Sequence, residues 1–319
     1  MSSKVIKDSP IGIGCAYLTA GSLTKYDERL INAVIDEGAL HFDVAPQYGL
    51  GTAEKVLGRA VGKRRREVSI TTKVGIIRPY IAPWKLTLRG LLEPIRSSLR
   101  QYRQNQNSKI GSNVERNLNF EPSYIEKSIN ESLSYLKTDF VDTYLLHMPR
   151  LHDINDEVIY QLQKIKQAGK TNAIGLATDR EETKKILERW PDIFDVVQYS
   201  WSILDIPLDE RIESPFLITH RALSRAYLPL VGWLHENPEL QLKFSKSCDA
   251  DLSKSSVLSQ ALIGAAMVEN AKGQILIASH SIERNIANIR IAKDHQTKIL
   301  GERLLNALRV EQGLPLPKE

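Results

Sequence analysis

Cysteine and long apolar runs are scarce in this sequence. Its 319 residues include two cysteines, Cys15 and Cys248, which are too few and too far apart for a disulfide framework or a cysteine metal site. No stretch approaches the roughly 18 consecutive apolar residues that suggest a membrane span, and residues 1–10 lack the apolar core of a signal peptide. We therefore expect no membrane partner and a cytoplasmic, reducing setting.

Excess basic charge is confined to one segment. The formal net charge is +5, but residues 78–116 hold eight Lys and Arg residues against two Glu, and the rest of the chain is close to neutral. The chain as a whole lacks the basic surface that is typical of nucleic-acid-binding proteins, so we expect no nucleic-acid partner.

Short apolar runs alternate with amphipathic segments along the chain. Because strands that alternate with helices favour a parallel α/β sheet, eight such units predict a closed (β/α)8 TIM barrel, formed as a single domain by residues 1–319. The predicted strands lie at 11–15, 39–42, 68–72, 140–146, 171–177, 193–198, 216–219 and 274–278. The predicted helices lie at 26–37, 52–61, 121–136, 157–168, 181–189, 255–269, 282–292 and 295–310.

A long insertion, residues 76–120, follows the third predicted strand. It is basic and polar, and it exceeds the usual length of a strand-to-helix loop. In a barrel it would lie over the mouth at which the strands end. Two interpretations stay open: a solvated insertion without a chemical role, or a lid that closes on an anionic cofactor.

Four polar residues fall at or just past the ends of predicted strands. Asp43 ends the second strand and Tyr48 lies on the turn that follows, while Lys73 ends the third strand and His147 ends the fourth. Because parallel barrel strands bring their carboxyl ends to one mouth, we expect these four side chains to lie together.

These residue types suit the reduction of a carbonyl group by hydride. The Tyr48 phenol could give a proton to the carbonyl oxygen if Lys73 lowered its pKa, which is ordinarily about 10. Asp43 would pair with Lys73, and His147 could donate a hydrogen bond to the substrate oxygen. Each residue also has a structural explanation: a surface tyrosine, a capping aspartate, a solvated lysine and a hydrogen-bonded histidine.

The motifs around these residues resemble those of the aldo-keto reductases. Residues 42–49 are similar to that family's Asp-Thr-Ala…Tyr-Gly motif, residues 72–74 to its lysine strand, and residues 142–147 to its histidine strand. The resemblance implies an NAD(P)(H)-dependent barrel that acts on a small carbonyl or sugar substrate, with Asp43, Tyr48, Lys73 and His147 as the catalytic tetrad. The most similar branch is that of the sugar dehydrogenases acting on L-galactose, L-fucose and D-threo-aldoses.

The same resemblance implies a set of cofactor-binding residues. Gln198 matches the glutamine that holds the nicotinamide carboxamide, and Ser279, Arg284 and Asn288 keep the spacing of residues that bind the 2′-phosphate and the adenine. NADP(H) is therefore expected over NAD(H). No glycine-rich dinucleotide fingerprint follows the first strand, but the family does not use one. The structural alternatives are a helix cap for Ser279 and a solvated position for Arg284.

Several positions depart from the family's pattern. Thr178 ends an Ala-Thr pair where Ser-Asn is usual, His220 stands where a tyrosine stacks on the nicotinamide, and Arg221 replaces a small polar residue. Ala278 stands where many members have lysine, which weakens the expectation of NADP(H). We expect these changes to alter the affinity for the cofactor more than the chemistry.

Two other functions stay open. A nucleotide-binding regulatory subunit of the same fold, with little catalysis, is favoured by the altered nicotinamide contacts and opposed by the intact tetrad. A lyase would use Lys73 to form a Schiff base at the end of a barrel strand.

Overall fold

The computed structural model of the chain is a closed barrel of eight parallel strands. It describes residues 6–18, 24–79, 117–205 and 215–310. The strands follow one another around the barrel in chain order, and the eighth pairs with the first. The predicted (β/α)8 barrel is therefore confirmed.

The strands are short and buried on both faces, as the apolar runs in the sequence predicted. All side chains of the second, third and eighth strands are buried. The strands are β1 (Gly12–Gly14), β2 (His41–Asp43), β3 (Ser69–Val74), β4 (Val141–His147), β5 (Thr171–Ala177), β6 (Val196–Ser200), β7 (Phe216–His220) and β8 (Gln274–Ile277).

The helices surround the barrel and bury one face each against it or against one another. In α1 the buried face holds Leu30, Ile31, Val34 and Ile35, the residues whose spacing predicted this helix. The helices are α1 (Thr24–Asp36), α2 (Ala53–Val61), α3 (Pro122–Leu136), α4 (Asp156–Gln167), α5 (Arg180–Arg189), α6 (Ala222–Glu236), α7 (Pro238–Cys248), α8 (Ser255–Glu269), α9 (Ile282–Lys293) and α10 (His295–Val310).

Two of these helices, α6 and α7, were not predicted from the sequence. Pro229 lies inside α6, and a proline costs about 3 kcal/mol in a helix interior. Packing outweighs this cost, because Leu230 and Leu234 are buried and the rings of Trp233 and Phe244 lie 5.9 Å apart between the two helices. A sequence pattern does not show such tertiary contacts.

The two ends of the insertion meet just past β3. Ile76 and Leu118 form an antiparallel bridge, and the Asn119 amide donates to the Gly75 carbonyl oxygen at 2.8 Å. Residues 80–116, to which most of the proposed lid belongs, lie outside the described residues.

The amino-terminal segment covers the end of the barrel opposite the mouth. Lys7 N donates to Ser69 at the start of β3 at 2.9 Å, and the Ser9 carbonyl accepts a bond of 3.3 Å from Gln274 at the start of β8. Ile6 is buried in a cluster with residues of the barrel interior. Of the helices in the described residues, none is long and apolar enough to cross a membrane.

Candidate active site

Lys73 forms the centre of the predicted site. Parallel pairing sets Asp43 of β2 beside Thr71 of β3, two residues before Lys73. Lys73 is 1% exposed, and its Nζ lies 2.5 Å from Asp43 Oδ1 and 3.5 Å from the Tyr48 hydroxyl. The alternative of a solvated lysine is therefore wrong, and three of the four predicted residues are in contact.

The environment of Lys73 keeps its ammonium charged. Burial by itself lowers the pKa of Lys73, but the charges of Asp43 and Tyr48 and the hydrogen bonds to both raise the pKa by more. The net pKa is above its usual value. A Schiff base requires a neutral amine as the nucleophile, so this pairing disfavours the lyase.

The pKa of Tyr48 shifts in the direction opposite to the expected one. Burial raises the pKa of the phenol, and the nearby Lys73 ammonium lowers it by less, so the net pKa is raised. The expectation neglected the loss of solvation that a phenolate would suffer at this site. Tyr48 consequently holds its proton at neutral pH, which is the state that a proton donor needs.

A tight turn presents Tyr48 to the mouth. Residues Tyr48–Gly51 form a 3₁₀ turn in which Gly49 has φ +55°. A Cβ atom at Gly49 would lie 1.8 Å from the Leu18 carbonyl oxygen, so only glycine fits there. The Thr52 hydroxyl donates to the Gly49 carbonyl oxygen at 2.6 Å and closes the turn.

Arg78 and Glu54 fix this turn from behind. The Arg78 guanidinium donates to the carbonyl oxygens of Pro46 (3.1 Å) and Gly51 (2.9 Å) and pairs with the fully buried Glu54. Glu54 also accepts a bond of 2.6 Å from the Thr72 hydroxyl, next to Lys73. In the sequence, Arg78 is one of several basic residues of the insertion, and its position there does not indicate this role.

His147 ends β4 beside Tyr48. The two rings stand edge to face, with their centroids 6.2 Å apart and their planes at 87°. The Gln47 side-chain nitrogen lies 2.9 Å from His147 Nδ1. Gln47 was not predicted as a site residue, although it lies within the motif that carries Tyr48.

Gln198, which is predicted to hold the nicotinamide carboxamide, contacts Asp43. Its Nε2 donates to Asp43 Oδ2 at 3.1 Å, and its Oε1 is buried without a hydrogen-bond partner. An unpaired buried acceptor fits the amide donor of a nicotinamide carboxamide. The Thr178 hydroxyl donates to the Pro149 carbonyl oxygen at 3.0 Å, so towards a ligand it can only accept.

His220 and Arg221 lie at the end of β7. Burial lowers the pKa of His220 to about 4; the Asp43 charge opposes this shift and the Arg221 charge adds to it. The ring is therefore neutral at physiological pH and can stack on a flat ligand. Arg221 precedes α6 in the left-handed conformation, with φ +70°, and its side chain is exposed.

The remaining predicted cofactor residues lie between β8 and α9. Ser281, rather than Ser279, caps α9, because its hydroxyl accepts from the Arg284 amide at 3.2 Å; the cap alternative for Ser279 is wrong. Arg284 is exposed in the first turn and Asn288 is half-buried. An exposed guanidinium at a helix N-terminus suits a phosphate group.

Known proteins are similar to this chain in sequence and in fold. The sequence pattern of the Aldo/keto reductase family matches residues 10–224. The uncharacterized oxidoreductase YqkF of Bacillus subtilis is 25% identical over 250 residues, which are 77% of this chain and 69% of YqkF. The aldo-keto reductase yakc [NADP(+)] of Schizosaccharomyces pombe is 27% identical over 206 residues, 63% of this chain and 52% of that protein. The D-threo-aldose 1-dehydrogenase of a Pseudomonas species is 30% identical over 154 residues, 47% of this chain and 43% of that protein.

Among solved structures, the holo form of the aldo-keto reductase AKR11C1 of Bacillus halodurans superposes with a TM-score of 0.66 at 19% identity, over 93% of this chain and 94% of that one. This likeness supports the fold alone. The alignments with yakc and the D-threo-aldose dehydrogenase span about half of those proteins. The family match covers more than half of the chain and includes all four residues of the predicted tetrad, so the chain belongs to the aldo/keto reductase family.

Proposed function

We propose that the chain is an NADP(H)-dependent oxidoreductase that interconverts a carbonyl compound and its alcohol, with Tyr48 as the acid and base. The observation that carries this proposal is the contact of the buried Lys73 ammonium with both Asp43 and Tyr48, beside His147. Family membership supports the reaction class.

In this mechanism the nicotinamide ring, when bound, gives or accepts a hydride at the substrate carbon. Tyr48 donates its phenolic proton to the carbonyl oxygen during reduction. The fixed charge of Lys73 stabilises the phenolate that remains, and Asp43 holds Lys73 in place. His147 donates a hydrogen bond that orients the substrate oxygen.

Two groups of residues would hold the cofactor. Gln198 and Thr178 would bind the carboxamide, while His220 would stack on the nicotinamide, with Arg221 next to it in the chain. At the other end of the cofactor, three residues would bind the 2′-phosphate and the adenine: Ser279, Arg284 and Asn288. The cofactor in the name of the similar reductase yakc, NADP(+), supports the choice of NADP(H).

The proposed substrate is an aldehyde, a ketone or an aldose, and oxidation of an aldose would give a lactone. Similarity to a D-threo-aldose 1-dehydrogenase supports the aldose. The second candidate is a nucleotide-binding subunit with little turnover. It is favoured by the Thr178 hydroxyl, which is already bonded to Pro149 and lacks the geometry of an amide.

A cofactor titration followed by a substrate panel tests the proposal. NADPH and NADH are first titrated by fluorescence, and the oxidation of NADPH is then followed with aldehydes, ketones and aldoses. We expect tighter binding of NADPH and turnover with at least one class of carbonyl. Binding without turnover across the whole panel, with NADP⁺ and sugars also tested, would instead support the regulatory subunit.

A further inference from the structure

We propose that Gln47 is a positioning residue that holds the neutral His147 ring in the tautomer with its proton on Nε2. This inference rests on the proposed function, in which His147 must donate a hydrogen bond to the substrate oxygen. It concerns a residue outside the predicted tetrad and cofactor residues.

The inference follows from the hydrogen bond between the two side chains and the orientation of the Gln47 amide in it. Gln47 Nε2 lies 2.9 Å from His147 Nδ1. In this orientation of the amide, the Gln47 NH₂ group can only donate, so Nδ1 is the bare, accepting nitrogen. A neutral imidazole has one ring proton, which then lies on Nε2. The opposite orientation of the amide would set Oε1 against Nδ1 and move the proton to Nδ1.

Gln47 lies in a backbone segment that hydrogen bonds hold in place. It is the residue that precedes the 3₁₀ turn of Tyr48, and the neighbouring Pro46 carbonyl oxygen accepts a bond of 3.1 Å from Arg78. The proton donor Tyr48 and the residue that orients His147 are therefore adjacent in the chain and share one support. A shift of this turn would disturb both groups together.

The arrangement has a chemical consequence for catalysis. A ring with its proton on Nδ1 would present a bare Nε2 to the carbonyl oxygen, and two acceptors repel. With Gln47 as the donor to Nδ1, Nε2 carries its proton in the neutral ring as well as in the doubly protonated ring. The hydrogen bond to the substrate then requires no change of charge on His147.

The tautomer can be observed directly, without turnover. The purified protein is labelled with ¹⁵N-histidine, and its ring nitrogens are examined by NMR at neutral pH, with His147→Asn to assign the signals. We expect a protonated Nε2 and a bare Nδ1. A protonated Nδ1 in the wild-type protein would overturn the inference, and it would do so whether or not the proposed enzymatic function is correct.

The variant Gln47→Glu should reverse the tautomer preference of His147, because it replaces the donor at position 47 by an acceptor in a side chain of nearly the same size. A carboxylate can only accept, so it favours the tautomer in which Nδ1–H donates a hydrogen bond to it. In that tautomer Nε2 is bare, and it carries a proton only when the ring is doubly protonated. We expect kcat/KM of this variant to fall as the pH rises through the pKa of His147. The wild-type profile should be flat there. Identical profiles for the two proteins would overturn the inference.

Other titrating groups at the mouth do not obscure this step. The pKa of His220 is about 4, and those of Tyr48 and Lys73 are raised above their usual values of about 10. Asp43 is in an ion pair with Lys73. A new pH-dependent step near neutrality in Gln47→Glu therefore belongs to the His147 pair.

Gln47→Leu serves as the control for size and packing. It removes the hydrogen bond and adds no charge, so kcat/KM should fall roughly tenfold, the usual effect of one lost bond, with no new pH-dependent step. A pH-dependent step in this variant as large as in Gln47→Glu would mean that the amide acts only through packing. If the wild-type protein reduces no carbonyl at all, the proposed function fails and the NMR result alone decides the tautomer.

Discussion

Lys73 and Asp43 form an ion pair inside the barrel, with 2.5 Å between Nζ and Oδ1 and exposures of 1% and 3%. The ammonium also lies 3.3 Å from the Val44 carbonyl oxygen and 3.5 Å from the Tyr48 hydroxyl. Removing one partner of such a pair leaves a charge without compensation in a medium of low dielectric constant. The pair is thus a point at which stability and the proposed chemistry depend on the same contact.

Asp43→Ala should lower the free energy of unfolding by roughly 3–5 kcal/mol, because it leaves the Lys73 ammonium buried and unpaired. The double variant Asp43→Ala/Lys73→Met should lose less stability than Asp43→Ala alone, since it removes the stranded charge. Urea denaturation of the single and double variants at neutral pH measures both effects. If the loss of stability in the double variant equalled the sum of the losses in the two single variants, the energetic coupling between Asp43 and Lys73 would be contradicted.

Tyr48→Phe should abolish carbonyl reduction and leave the binding of NADPH nearly unchanged. The substitution removes the hydroxyl that lies 3.5 Å from Lys73 Nζ and keeps the ring. Stopped-flow measurement of NADPH oxidation, together with a fluorescence titration, separates the two effects. Tyr160→Phe is the matched control, because Tyr160 is 68% exposed on α4. Turnover by Tyr48→Phe at the wild-type rate would remove the assignment of the phenol as proton donor.

The sequence predicted the barrel and the meeting of the four polar residues at its mouth, because both follow from the order of the strands and from where each strand ends. A residue at the end of a parallel strand must lie at the mouth, so strand ends alone brought Asp43, Lys73 and His147 together. The balance between burial and charge at Tyr48 could not be predicted, because it depends on how much surrounding protein excludes water from the phenol. The Arg78–Glu54 support was missed for a related reason: its partners are backbone carbonyl oxygens, and no residue pattern identifies those.

The free energy of unfolding should fall when the pH is lowered from about 6.5 to about 4. Burial lowers the pKa of His220 to about 4, whereas the unfolded chain has the usual value of about 6.5. The unfolded state therefore binds more protons in this range, and stability decreases by up to about 1.4 kcal/mol per pH unit for one such group. Burial lowers the pKa of His41 as well, in the same direction.

His220→Tyr should reduce this dependence on pH, because a tyrosine at this position does not titrate between about pH 4 and about pH 6.5. Urea denaturation at several pH values measures the slope for both proteins. The same variant restores the ring that the family's pattern has at this position, and we expect it to bind NADPH at least as tightly. Equal slopes for the two proteins would show that His220 does not contribute to the loss of stability in acid.

Arg284→Ala should weaken the binding of NADPH more than tenfold and the binding of NADH only slightly. Arg284 is exposed in the first turn of α9, where amide groups and a guanidinium can share a phosphate. Glu283 stands next to it, and its carboxylate accepts a bond of 2.6 Å from the capping Ser281 hydroxyl. Because this negative charge opposes a phosphate, the discrimination between the two cofactors should depend strongly on Arg284.

Arg290→Ala is the matched control on the same helix. Arg290 carries the same charge but forms an ion pair of 3.0 Å with Glu37, away from the first turn of α9. Arg290→Ala should leave the dissociation constants of NADPH and NADH within about a factor of two of the wild-type values, because an exposed ion pair contributes little. If Arg284→Ala weakens NADPH and NADH equally, Arg284 does not contact the 2′-phosphate. The preference for NADP(H) would then require another source in a chain that has alanine at position 278.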